Sequence, residues 1–254
     1  MALSRTAYGP YLHINGAGFT PQGTGPFTTG SFTPPDNSLL CAWVLCGSDD
    51  PSSESSYVTT GGSLTWTKRL NRTINFSSDG AILQFWTAPV TTGASMQITS
   101  THTGINSYAF GIFPFAYTGY NTGSPVGGSA TGDDTGTTNS LTLSASPASA
   151  SYVEAALMMF ASNGDASDAS VAAGSSFVEL VDTNATNSFC RWQTQNRTSS
   201  TSTAVSWTTS TSASSPFDQR IYGAIEIQEA AAGGVVVGSG LLESTKLRRA
   251  QLIG

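Results

Sequence analysis

Three observations predict an all-β fold. Only 10% of the 254 residues are charged, whereas Ser and Thr together number 71 and Gly adds 27. Long helices need Glu, Lys and Arg on their wet faces, so such a composition excludes them. The 25 aromatic residues and a hydrophobic fraction of 39% nevertheless supply a substantial core. Short runs rich in Val, Ile, Thr, Tyr, Phe and Trp then recur between Gly, Ser and Asn turns, the pattern of a sandwich.

Residues 1–26 are rich in Gly and Pro without clear periodicity and read as an extended N-terminal arm. Strand-like runs follow at Gly30–Phe32, Leu39–Cys46, Leu64–Arg69, Ala81–Ala88, Ser95–Thr101 and Tyr108–Ala116. Residues 119–139 read as a polar loop. Beyond it come Ser140–Ala145, Tyr152–Ala161, Ser176–Asp182, Ser188–Gln195, Ala204–Thr209 and Ile221–Gln228. Residues 230–254 form a Gly-rich connector and a tail, with a short helix expected over 241–252.

An internal repeat at an offset of about 112 residues organises these runs. Phe32-Thr-Pro-Pro-Asp-Asn-Ser-Leu-Leu parallels the segment from Ala145 to Val153, a proline and polar spacer before an apolar strand. Gly62-Ser-Leu-Thr-Trp-Thr parallels Gly174-Ser-Ser-Phe-Val-Glu-Leu, and Ile82-Leu-Gln-Phe-Trp-Thr-Ala parallels Phe189-Cys-Arg-Trp-Gln-Thr-Gln. The runs from Met96 and from Tyr108 match those from Ala204 and from Ile221. Half of such a unit leaves sheet edges open and one face bare. A single β-sandwich over 27–229 is therefore expected, built from pseudo-repeats at about 27–118 and 140–229. Two independent domains are the alternative.

The order of these motifs resembles the jelly-roll β-sandwich domains of tailed-bacteriophage virion proteins and bacterial surface proteins. The resemblance spans about 27–229 and implies structural or adhesive roles, with no catalytic residue. The expectation is a non-enzymatic virion structural protein, a head decoration, neck or fibre-associated component attached to the particle through its terminal segments, the N-terminal arm and the C-terminal tail. A carbohydrate-binding or adhesin module for host-surface glycan is the alternative.

Charge narrows the partners. The net charge is −6, and no Lys or Arg lies between Thr73 and Cys190, although eight Asp or Glu do. A body without cations cannot neutralise phosphates, so no nucleic acid is expected as a partner. Other capsid, portal, neck or tail subunits, and further copies of the chain, are. Lys246, Arg248 and Arg249 sit near the end, and with Leu241, Leu242 and Leu247 they form the expected partner-binding segment. The opening residues lack the apolar stretch of a signal peptide and no run reaches 18 apolar residues, so the expected site is the virion, after synthesis in a host cytoplasm, with no membrane partner.

Chemistry-bearing constellations are sparse. The paired carboxylates of a sandwich glycosidase have no counterpart, since Glu226 and Glu229 are three apart and face opposite sides of a strand. His13 and His102 accompany no Gly-x-Ser-x-Gly elbow, and Gly16 and Gly18 follow no βα unit. Cys41, Cys46 and Cys190 lack metal-ligand spacing and read as buried thiols. The Asn163, Asp165 and Asp168 turn, the Asp133-Asp134 pair and Asp49-Asp50 read as turns before ion sites. No catalytic residue, metal or cofactor is expected. Trp43, Trp66, Trp86, Trp192 and Trp207 read as core, whereas Tyr117 and Tyr120 are expected on exposed loops as candidate glycan contacts.

Overall fold

The computed structural model describes residues 2–14, 25–48, 57–60, 63–76, 79–102, 107–134, 138–160, 170–184, 190–198, 200–209 and 219–231. Among these every regular element is a strand. The first half contains β1 (Ser4–Ala7), β2 (Tyr11–Ile14), β3 (Phe27–Thr28), β4 (Ser38–Ser48), β5 (Tyr57–Thr60), β6 (Thr67–Phe76), β7 (Asp79–Val90), β8 (Thr99–His102) and β9 (Ser107–Thr118). The second contains β10 (Val126–Asp134), β11 (Thr138–Thr142), β12 (Tyr152–Phe160), β13 (Val171–Ala173), β14 (Val178–Asn184), β15 (Cys190–Thr198), β16 (Ala204–Thr209) and β17 (Gln219–Ile227).

Four antiparallel sheets result. Two are long, ordered β1-β9-β4-β7-β6 (with β2 also on β9) and β10-β17-β12-β15-β14. Two have three strands, ordered β3-β8-β5 and β11-β16-β13. The long sheets lie at the centre and each carries one short sheet on its outer face. Strand β4 shows why: all eleven of its residues are buried. Leu39, Cys41, Trp43 and Leu45 enter the core between the two long sheets. Leu40, Ala42, Val44 and Cys46 enter the core under the first short sheet. Alternation sends successive side chains to opposite faces, so a strand covered on both sides must read as a continuous apolar run.

Strand β12 repeats the logic. Val153, Ala155, Leu157 and Met159 pack beneath the second short sheet, and Ala156 and Met158 join the central core. Each outer core includes an indole whose N–H is satisfied by a buried glutamine. Trp86 donates to Gln84 Oε1 at 2.9 Å, and Trp207 donates to Gln193 Oε1 at 2.8 Å. The three cysteines form no disulfide and are buried, with Cys41 in the central core and Cys46 in the outer one.

The architecture departs from several expectations. Residues 4–7 and 11–14 of the arm are strands hydrogen-bonded to β9. The expected loop 119–139 holds β10 and the start of β11; Gly, Ser, Thr and Asp compose it because a half-buried sheet edge needs little apolar surface. Of Gly30–Phe32 only Phe32 pairs, in an isolated bridge to Met96. The short strands β5 and β13 carry too few residues to show a period.

Candidate functional site

Two open clefts lie where the chain crosses from the first half to the second. Gly119 takes a left-handed φ of 74°, which turns the chain as it leaves β9. Tyr120 then bridges Glu229, and Asn121 N–H donates to Gln228 C=O at 2.8 Å. Ala230 N–H donates to Gly119 C=O at 2.8 Å, and Gln228 N–H to Pro125 C=O at 3.0 Å. The crossover is thereby laced to the segment leaving β17. Asn121 Oδ1 accepts from Gly123 N–H at 3.0 Å and Ser124 N–H at 3.2 Å, a side-chain turn that shapes the rim.

A cleft opens on each side of Tyr120. One, of about 410 Å³, is lined by Leu39, Arg69, Pro89, Ser124 and Val126 among others. The other, of about 510 Å³, is lined by Asp36, Asn37, Thr118, Gly119, Thr122 and Ala230. Asp36 is fixed by Gly93 N–H at 2.6 Å, and Asn37 holds a left-handed φ of 51°. Arg69 is exposed and anchored by one N–H, Nε to Thr87 Oγ1 at 2.9 Å. The lining is a mixture of donors and acceptors around one aromatic ring. Such a lining can offer hydrogen bonds to a polar ligand.

A second polar cluster is wholly internal. Glu154 on β12 is 0% exposed and faces the central core. Arg5 Nε, from the opposite sheet, donates to its Oε1 at 2.7 Å, and the Tyr117 hydroxyl donates to the same oxygen. The guanidinium also stacks 4.2 Å over Phe115. Burial, and then the neighbouring carboxylate, push the Tyr117 hydroxyl well above its ordinary pKa. Burial also pushes Cys41 well up, with Glu154 adding to it. Arg5 is raised: burial works against its charge, but Glu154 and Tyr117 outweigh it. The cluster pins β1 of the first half to β12 of the second. On the other flank Arg72 of β6 pairs with Asp133 of β10.

The sequence-derived candidates fall as follows. Tyr117 is not on an exposed loop; it lies in β9 at 0% exposure, because the loop expected there begins only after Thr118. Tyr120 is on the crossover but 8% exposed, so it offers the clefts an edge and not a broad platform. Leu241, Leu242, Lys246, Leu247, Arg248 and Arg249 lie outside the described residues, as do Asp49, Asp50, Asn163, Asp165 and Asp168. His13 stands opposite Phe110 in β2, and His102 opposite Tyr57 in β8. Glu226 is a brace: Oε2 accepts from Gly128 N–H at 3.0 Å and Oε1 from Ala148 N–H at 2.9 Å. Asp134 accepts from Asn139 Nδ2 at 2.5 Å and from the Tyr222 hydroxyl at 2.9 Å. Trp43, Trp86, Trp192 and Trp207 are core, and Trp66 is half-buried against it. Among the described residues no group of three His, Cys, Asp or Glu could hold a metal ion.

Asp36, Asn37 and Arg69 carried no sequence signal as site residues, since only the fold gathers them around Tyr120. Compared with protein-family models, curated proteins and solved structures, the chain matches none.

Proposed function

We propose that the chain is a non-enzymatic structural protein of a tailed-phage particle, as a head decoration, neck or fibre-associated component. The observation that carries this reading is the core shared between the two long sheets. It joins Leu39, Trp43, Phe85 and Phe115 of the first half to Met158, Trp192, Ile221 and Ile225 of the second. The buried carboxylates Glu154 and Glu226 are engaged in bracing strands and turns. A block of four sheets welded in this way suits a particle surface, where rigidity matters more than a responsive site.

Within this reading each half is a jelly-roll-like unit and the pair is a duplication. The strand orders support it: β10 takes the place of β1 and β2, and β11 to β17 take those of β3 to β9 in turn. Each long sheet then runs first, last, third and sixth strand of an eight-strand jelly roll, with the fifth swung onto its edge. Attachment to neighbouring subunits is assigned to 241–254, because 4–14 are occupied in pairing with β9. The test is negative-stain microscopy of particles labelled with an antibody to the sandwich, beside a chain truncated before residue 241. Labelled particles and a truncated chain that melts normally but is not incorporated are expected. Unlabelled particles refute the virion reading, and normal incorporation of the truncated chain refutes the tail as anchor.

The clefts about Tyr120 favour a second reading, a carbohydrate-binding module. Titration with a glycan panel, repeated with Tyr120→Ala and Arg69→Ala, separates it from the first: saturable binding lost in both variants supports it.

A further inference from the structure

Strands β6 and β14 each close one edge of a long sheet, and they lie on opposite flanks of the molecule. Strand β6 stacks over β10, whereas β14 contributes Leu180 and Val181 to a small pocket shared with Arg5 and Ala7 of β1. Among the described residues β6 pairs only with β7 and β14 only with β15. Each therefore presents a row of backbone N–H and C=O groups that a further strand can satisfy. Val178 on β14 is 64% exposed, and it is the large apolar residue left most open among the described residues.

The two edges are opposite in charge. Strand β6 carries Lys68, Arg69 and Arg72, and β14 carries Glu179 and Asp182. Arg72 and Asp182 have partners in their own chain, Asp133 and Arg191. Lys68 and Arg69 are exposed, as is Glu179, and none of the three takes part in the ion pairs of the described residues. Joining two copies of β14 crowds carboxylates along the seam, and joining two copies of β6 crowds cations. Like charges across a strand pair are destabilising and opposite charges favourable.

We propose that this chain assembles head to tail with further copies of itself, β6 of one copy adding to the free edge of β14 of the next. The first long sheet of one copy then continues into the second long sheet of its neighbour. Because the joined surfaces differ, the contact is heterologous and propagates into a ring or a filament instead of closing as a two-fold dimer. Two acidic edges or two basic edges do not join, so the charges set the polarity of the assembly.

The test uses the full chain in analytical ultracentrifugation over a dilution series at low and high salt. Wild type is expected to show concentration-dependent species above the dimer that shrink as salt rises. Glu179→Lys turns the exposed carboxylate of β14 into a cation, and Lys68→Glu with Arg69→Glu turns the exposed cations of β6 into carboxylates. Each variant alone should lose every species above monomer, with an unchanged far-UV circular dichroism spectrum and a cooperative melt showing that it is folded. An equimolar mixture of the two should recover the large species, because each variant's altered edge now complements the other's. A variant that fails to fold is replaced by Glu179→Gln or by Lys68→Gln with Arg69→Gln, either expected to weaken assembly. A wild type that stays monomeric, a closed dimer in all variants, or variants that assemble like wild type overturns the proposal.

Discussion

Replacing Arg5 by leucine tests whether the central cluster welds the halves. The side chain of Arg5 is 12% exposed and that of Glu154 is 0% exposed, so the pair is shielded from water. Among the described residues leucine leaves the carboxylate buried with only the Tyr117 hydroxyl, and Glu154 Oε2 has no hydrogen-bond partner there to begin with. Stranding one member of a buried ion pair costs about 3–5 kcal/mol. The residual exposure of Arg5 favours the low end, about 3 kcal/mol. For a chain of this size that lowers the melting temperature by roughly 6–12 °C. Urea unfolding of Arg5→Leu, Glu154→Gln and the double variant measures it. The double variant should lose less than the sum of the singles, by about 1–3 kcal/mol, because a neutral amide at position 154 no longer needs the guanidinium. A loss under about 0.5 kcal/mol for Arg5→Leu, typical of a surface substitution, refutes the reasoning.

Stability should fall under alkaline conditions. Burial raises Tyr117, Tyr222, Cys41 and Cys190, so each ionises more readily in the unfolded chain. Their contribution is intact at neutral pH; its loss begins at about pH 8.5–10, where these groups ionise in the unfolded chain, and continues as pH rises further toward their raised folded-state values. Urea midpoints that hold steady or rise across that window contradict it. Trp207→Phe leaves Gln193, 0% exposed, without the donor to its Oε1, at a cost of about 1–3 kcal/mol; Val178→Thr on the exposed edge should stay within about 0.5 kcal/mol. Fragments 2–122 and 123–231 should be insoluble or uncooperative alone and recover on co-expression, because each bares its side of the central core. Two soluble fragments with separate sharp melts would show that the halves do not depend on each other.

The class of fold was legible in the residues because it rests on local physics. A continuous apolar run such as Leu39 to Cys46, too short for a buried helix and bounded by turn residues, reads as a strand covered on both faces, and a chain so poor in charge cannot clothe long helices. The places where reading along the chain failed share one cause. Strand β10 is half-buried and written in Gly, Ser, Thr and Asp, and β1 and β2 are short strands whose pairing with β9 lies some hundred residues away in sequence. An edge strand is specified by its neighbour's hydrogen bonds and not by its own pattern. Tyr117 shows the same limit: a tyrosine next to a Thr-Gly turn reads as exposed until Glu154, 37 residues on, accepts a hydrogen bond from its hydroxyl in the core. The clefts about Tyr120 and the opposed charges of β6 and β14 likewise belong to the tertiary structure. Distances between Asp36, Arg69 and Tyr120 depend on how sheets stack, and a strand becomes an edge only when the order within its sheet is decided.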